Sequence, residues 1–441
     1  MLFSHLPTFL SRVFANFTAW LDRRTAARLP LLLTGILFAS GRRTVTSWFR
    51  PVGIATEFRR AYHVVFAVGR KTEQLALATL SAVRPCLANP QRLLFAIDDT
   101  PTPRYGPEVA GAGIHHNPTP GPAGEKYVYG HIWVMLAAVA KHADWGTMAL
   151  PLQAKLYVRH KDVPDLPPEY HFQFRTKLEL AVDQLRWLKP WLSELTEHWV
   201  SVDGGYAKRP FLRPARQEGF TVVSRLRKDA DLRSLPLPKP PGQRGPQATY
   251  GKERLSLAKR AGQPRAWQQV ECTQYGKKVT KTYKTFQATY RPAGGAIRVV
   301  LLKEEHSWIP FFSTDPEAAV VDILEAAADR GAIEQTNHDV KEIWGAGQQQ
   351  VRNLYASIGC FHLNCWMYSV VEAWSWEKSA ADLVDRSQSP WDEEPRRPSH
   401  ADKRKALQRE VLRAEIEATL AGPPNKQRFR QLAERLLDLA T

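Results

Sequence analysis

Asp98 and Asp99 end a short apolar run, Leu93-Leu94-Phe95-Ala96-Ile97. Asp203 ends a second, Trp199-Val200-Ser201-Val202, with Gly204 and Gly205 directly behind it. Runs of this kind read as buried strands, so each acid stands where a strand ends and a site can open. Glu334 lies on a helical stretch, four residues after Arg330 and seven before Lys341. At 100° per residue these three side chains fall within about 40° of one another. Such acids suit a hard divalent cation. Phosphodiester cleavage needs an activated water and a stabilised leaving oxygen, and two Mg²⁺ ions about 4 Å apart supply both. Mg²⁺ takes oxygen ligands and keeps several waters, so three carboxylates suffice. Asp98 and Asp99 are rivals for the first ligand. The spacing of Arg330 and Glu334 equally fits an ordinary Arg(i)–Glu(i+4) surface pair, the commoner arrangement.

The elements that must position these residues can be read from periodicity. Residues 1–90 read as helical, with apolar residues at helical spacing through Leu29, Leu32, Leu33, Ile36 and Leu37, and again from Phe58 to Val68. Pro30 suits the first turn of the earlier helix. Between the two, Gly41, Arg42, Arg43 and Thr44 lead a short basic segment that resembles the second half of a helix-turn-helix, with Arg42 and Arg43 as DNA contacts. Residues 91–228 read as three strands, a helix over about 170–192, a strand, a helix and a fifth strand. That order is the connectivity of the ribonuclease-H-like α/β fold, a mixed sheet flanked by helices. In that fold the first and fourth strands are neighbours, which would set Asp98 beside Asp203. Two like charges so placed call for a cation. A Pro/Gly-rich loop follows Thr100, running through Pro118, Pro120, Gly121 and Pro122.

Residues 229–312 interrupt the pattern and read as an inserted, basic, β-rich domain. Residues 313–378 resume the catalytic fold, with a helix expected from Thr314-Asp315-Pro316, where Asp315 could cap and Pro316 fits the first helical position. Residues 379–441 read as a linker and charged C-terminal helices.

Charge points to the partner. The 441 residues carry 61 Lys/Arg against 44 Asp/Glu, a net +17. From Gly204 to Tyr290 there are 19 Lys/Arg and 5 Asp/Glu, so that window holds +14 of the +17. Aromatic residues interleave with the basic ones there, which suits a surface that neutralises phosphates and stacks on bases. Lys277, Lys278, Lys281 and Lys284 are its candidate phosphate contacts. The apolar stretch Leu29 to Ala39 is too short to span a bilayer. Four scattered cysteines suggest no disulfide framework and fit a reducing cytoplasm.

Three blocks in order resemble the DDE transposases of bacterial insertion sequences. They are Ile97-Asp98-Asp99-Thr100; Val202-Asp203-Gly204-Gly205-Tyr206 with Arg209 and Phe211; and Arg330-(x3)-Glu334-(x6)-Lys341, continuing to Gln350-Val351-Arg352. Ala327 stands where that family's third motif has Tyr. The resemblance implies a metal-dependent transposase that cleaves phosphodiester bonds at transposon ends and joins the 3′-OH to target DNA. It implies Asp98, Asp203 and Glu334 as catalytic ligands for Mg²⁺ or Mn²⁺, and Arg330, Lys341, Arg209 and Arg352 as DNA contacts. It further implies double-stranded DNA with terminal inverted repeats as substrate, a homodimer on that DNA, and a cytoplasmic, nucleoid-associated location. A nuclease of the same fold without strand transfer, or an inactive DNA-binding derivative, are the alternatives.

Other candidates read as structure. His115, His116 and His131 lack the spacing of a metal-ligand set and suit loop or DNA contacts. Cys360, Cys365 and Trp366 read as core of a buried helix. The segment from Gly422 lacks the glycines and hydroxyl of a phosphate-binding loop.

Overall fold

The structure, a computed structural model, describes residues 5–421 other than 55, 57, 88–90, 117–124, 241–243, 388, 390, 394 and 395, together with 426, 427, 429, 430, 433, 434 and 436. The expected loop positions Pro118, Pro120, Gly121 and Pro122, and the 422–425 segment, lie outside the described residues.

The chain opens with five helices: α1 (Thr8–Thr18), α2 (Arg23–Phe38), α3 (Val45–Phe49), α4 (Phe58–Arg70) and α5 (Thr72–Val83). Asp22 sets the start of α2, its carboxylate accepting from the N–H groups of Arg24 and Thr25. Pro30 therefore lies inside the helix, not in its first turn as expected. Thr44 caps α3 by accepting from the Ser47 N–H at 3.2 Å. That helix is only five residues long and buries Val45, Trp48 and Phe49. The expected DNA-reading helix is thus a single buried-sided turn, with Arg42 exposed and Arg43 half-buried just before it.

The large sheet follows: β1 (Arg92–Pro103), β2 (Gly113–His116), β3 (Tyr127–His142), β4 (Gly146–Tyr157), α6 (Lys177–Leu188), β5 (Glu197–Val202), α7 (Arg209–Gln217) and β6 (Thr221–Arg225). β1 does not end at the aspartates as expected: its pairing with β3 carries it on to Pro103. Helix α6 starts later than the apolar pattern suggests, because Thr176 and Glu179 close a capping box there. β1, β3 and β4 form an antiparallel meander, β5 runs parallel to β1, and β6 runs parallel to β5. The spatial order β4-β3-β1-β5-β6 is that of the ribonuclease-H-like sheet expected from the element order.

The 229–312 region supplies β7 (Leu232–Arg233), β8 (Arg254–Leu255), α8 (Leu257–Gly262), β9 (Gln268–Gln274), β10 (Lys277–Tyr290), β11 (Gly295–Lys303) and β12 (Trp308–Ser313). β12 pairs antiparallel with β6, and β11 and β10 continue outward. The insertion is therefore hydrogen-bonded edge-on to the β1–β6 sheet, and twelve strands among the described residues form one sheet.

Four helices of the second half follow: α9 (Val320–Asp329), α10 (Ala332–Glu342), α11 (Leu354–Ser375) and α12 (Ala380–Leu383). The expected helix start at Thr314-Asp315-Pro316 is not found. The Asp315 carboxylate instead accepts from the Glu317 N–H at 2.9 Å, a turn that delays α9 to Val320. The helical stretch breaks at Arg330 and Gly331 and resumes at Ala332. A long C-terminal helix, α13 (His400–Ala421), packs back on the protein through Leu407 and Val411.

α11 is buried along almost its whole length. It crosses α4 at backbone contact: a Cβ on Gly359 would stand 2.1 Å from the Val65 carbonyl oxygen, and one on Gly69 would stand 1.8 Å from that of Tyr355. Only glycine fits at such a crossing. The N-terminal helices consequently share one hydrophobic core with α11 and one face of the sheet. Gly359→Ala should force the helices apart and lower stability by about 1–3 kcal/mol, the cost of overpacking a core. The midpoint of urea unfolding measures it; an unchanged midpoint would show that this crossing yields freely.

Candidate active site

Strand alternation decides which acids meet. In the β1–β5 ladder Ile97 lies opposite Val202, and both side chains join the cluster shared with α6 and α7. The next residue on β1, Asp98, therefore leaves toward the opposite face, where Arg330 meets it, while Asp203 directly follows the end of β5. Asp99 leaves on the α6 side, where the Lys177 ammonium pairs with its carboxylate. Adjacent in sequence, Asp98 and Asp99 thus serve different faces of the sheet.

Asp203 is exposed and stands as the N-cap of a short turn, its carboxylate accepting from the Gly205 N–H at 3.1 Å. Asp98 is largely buried. Its Oδ2 accepts from Arg330 Nη1 at 3.3 Å, and Arg330 Nη2 donates to Glu334 Oε1 at 2.9 Å. One guanidinium at the α9–α10 break so binds an acid from the sheet and an acid from the helix. The Arg(i)–Glu(i+4) pair exists, and it also reaches across to β1. Among the described residues no group of three His, Cys, Asp or Glu side chains is drawn tightly enough to hold a metal ion; Asp98 and Glu334 each pair with Arg330.

Burial pushes the Asp98 carboxyl up to about 6. The Arg330 guanidinium opposes that shift, while the Asp99 and Glu334 charges add to it. Burial also pushes the Tyr206 hydroxyl well above its usual range, with Asp99, Asp98 and Asp203 reinforcing it. The centre is therefore an excess of negative charge held partly out of water, matched by one arginine and one lysine. Its donors are hard carboxylate oxygens, and two of them already bind a cationic group, so their chemistry fits a divalent ion.

The basic residues divide. Lys341 is half-buried on α10, two turns beyond Glu334, and burial lowers its pKa. Arg209 is exposed at the start of α7. Arg352 is exposed and paired with Glu108 at 2.6 Å. Lys277 and Lys278 are exposed on β10, and Lys281 stands 3.9 Å from Glu304. Lys284, from the same basic run, is a buried tie: its ammonium donates to the Arg260 carbonyl at 2.8 Å and lies 4.6 Å from the centre of the Trp267 ring. His131 is also structural, accepting from Arg104 Nε at 3.1 Å, and burial lowers its pKa to about 3.

Sequence reasoning missed Lys177, since nothing in its local pattern places it against Asp99, 78 residues earlier. Tyr206 is visible within the second block, yet only the fold brings it under the aspartates.

The sheet is of the ribonuclease-H-like type, with Asp98 inside β1, Asp203 directly after the adjacent parallel strand β5 and Glu334 on a helix packed over the sheet. The chain belongs to the DDE superfamily endonucleases: that family's model matches residues 13–292, more than half the chain. The match includes Asp98 and Asp203 and ends before Arg330 and Glu334. No curated protein matches the chain. The family implies a nuclease acting on DNA, and no helix among the described residues is long and apolar enough to cross a membrane.

The raised pKa of Asp98 has a consequence for stability. Unfolded, this carboxyl titrates near its ordinary 3.8; folded, near 6. Between these values the folded state binds more protons than the unfolded state, so stability falls as pH rises from 4 to 6 and levels off above. Asp98→Asn should match wild type near pH 4 and be the more stable protein at pH 7 in metal-free buffer. Urea midpoints at the two pH values test this; a parallel pH dependence in both proteins would place the shift elsewhere.

Proposed function

We propose that this endonuclease is a metal-dependent DNA transposase that cleaves phosphodiester bonds at transposon ends and joins the freed 3′-OH to target DNA. The observations that support the reading are the ladder that sets Ile97 opposite Val202, so that Asp98 and Asp203 each directly follow a paired residue of parallel strands, and the Arg330 guanidinium that pairs with both Asp98 and Glu334. Asp98, Asp203 and Glu334 would hold a divalent cation, Mg²⁺ or Mn²⁺, which supplies an activated water and charge stabilisation at the leaving oxygen. Asp99 is the weaker candidate, because Lys177 holds it on the other face.

The chain's own residues do the rest. Arg330 is already within reach of both acids, so it can present its planar fork to a phosphate beside them. Lys341 adds positive charge further along the same helical stripe. Lys277 and Lys278 extend a basic track along β10, with Arg209 and Arg352 as further exposed cations. Such an enzyme would work as a homodimer bridging two inverted repeats.

Asp203→Asn removes a ligand charge while keeping the capping oxygen. Divalent-metal-dependent cleavage of a DNA duplex should then fall by at least about a hundredfold, with DNA affinity retained. Undiminished cleavage would remove Asp203 from the centre. A pre-cleaved 3′-OH end incubated with target plasmid separates transposase from simple nuclease: joined products support transposition, and hydrolysis alone supports the nuclease reading.

The basic track makes its own prediction. Replacing Lys277 and Lys278 together by Gln should reduce the slope of log affinity against log salt by about 2, from about 0.9 counterion released per phosphate neutralised. An unchanged slope would mean that the DNA runs elsewhere.

A further inference from the structure

The turn joining β9 to β10 consists of Tyr275 and Gly276, both with positive φ, at 52° and 77°. A two-residue hairpin of this kind needs φ > 0 at both central positions, which Asn, Asp and Gly adopt most readily. A tyrosine there is conformationally costly, and its ring gains little from burial, since 76% of the residue is exposed. Non-glycine residues held in this region concentrate at working sites.

The position of the turn gives the strain a purpose. The hairpin is fixed to α9 by the Thr273 N–H, which donates to Glu325 Oε1 at 2.8 Å. Its tip rests on the β3–β4 turn, where a Cβ on Gly146 would stand 3.8 Å from the Gly276 Cα. A Cβ on Gly331 would lie 3.3 Å from the Tyr275 ring and 3.6 Å from its hydroxyl. Gly331 sits between Arg330, which touches Asp98, and Glu334. The aromatic ring therefore borders the acidic centre, next to its arginine. The exposed Lys277 and Lys278 follow directly in sequence.

We propose that Tyr275 is a base-stacking platform: its exposed ring receives an unpaired nucleobase of the DNA strand whose backbone passes Arg330 and the acids, while Lys277 and Lys278 hold the phosphates that follow. This rests on the endonuclease reading of the acidic centre and adds a binding subsite for one nucleotide. A flat aromatic face accepts any base, and the cations beside it fix the backbone, so the recognition is of an unpaired nucleotide rather than of a sequence. The strained turn holds the ring outward before DNA arrives.

The test uses the full chain and a forked DNA duplex with 2-aminopurine in its unpaired arm. Wild type should quench the fluorescence on binding, as stacking on a ring does. Tyr275→Phe and Tyr275→Trp should keep the quench and the affinity. Tyr275→Asn should lose the quench and bind about tenfold more weakly, yet unfold at a higher temperature, because Asn relieves the turn. That pairing separates a lost contact from lost folding. Tyr275→Asn with wild-type quench and affinity would overturn the proposal, as would Tyr275→Phe behaving like Tyr275→Asn, which would point to the hydroxyl. Asp203→Asn serves as the second arm: if it cleaves normally while Tyr275→Asn loses the quench, the acidic centre is misassigned and the stacking subsite stands. If wild type fails to bind the fork, the subsite is refuted.

Discussion

The surplus of carboxylates around β1 is the constraint on which the rest of the molecule is arranged. Asp98, Asp99, Asp203 and Glu334 are gathered by a sheet and a helix, and bringing like charges together is unfavourable without compensation. The protein answers in two ways. Alternation along β1 sends Asp99 to Lys177 on one face and Asp98 to Arg330 on the other. Arg330 then spans Asp98 and Glu334, so a single cationic group closes the distance between elements more than two hundred residues apart in the chain. The geometry is that of acids assembled around positive charge, with an arginine in that role here.

Holding that arrangement requires α9 and α10 to be fixed relative to the sheet. α9 is tied through Lys141, which pairs with Glu325 and Asp329, and through Arg92, which pairs with Asp322. α10 is held at its start by the Thr336 hydroxyl on the Ala149 carbonyl. At its end, Arg404 on α13 donates to the Ile343 carbonyl and to those of Leu37 and Ala39 at the C-terminal end of α2. The C-terminal helix thereby clamps the glutamate-bearing helix to the N-terminal bundle. A second buried tie joins α13 to α11: the Trp344 indole donates to His400, and His400 and Lys403 both meet Glu372. Helices at both ends of the chain thus brace a centre made by its middle.

Continuity of the sheet explains how the insertion serves the centre. Because β12 pairs with β6, the strands of the 229–312 region form a rigid extension of the catalytic sheet, and the β9–β10 hairpin folds back onto α9. Its tyrosine is thereby delivered to the α9–α10 break, with the exposed Lys277 and Lys278 next in sequence. Lys284 shows that basic character alone does not mark a DNA contact. Its ammonium is spent on two backbone carbonyls and the Trp267 ring inside the insertion.

Much of this was legible in the sequence by itself. Apolar runs ending in Asp98 and Asp203 revealed the strands because burial on both faces leaves an unbroken hydrophobic signal. Element order revealed the sheet's connectivity, and helical arithmetic put Arg330, Glu334 and Lys341 on one stripe. Local capping was harder to read: the starts of α2, α6 and α9 were misplaced because a side-chain hydrogen bond, at Asp22, Thr176 or Asp315, outweighs apolar periodicity at a helix end. Tertiary structure alone decided which face each aspartate takes, that Lys177 holds Asp99, that the insertion shares the catalytic sheet, and that Tyr275 stands beside Gly331. Those are contacts between residues remote in the chain, set by ladder register and helix packing, and no local pattern of residue types encodes the distance between them.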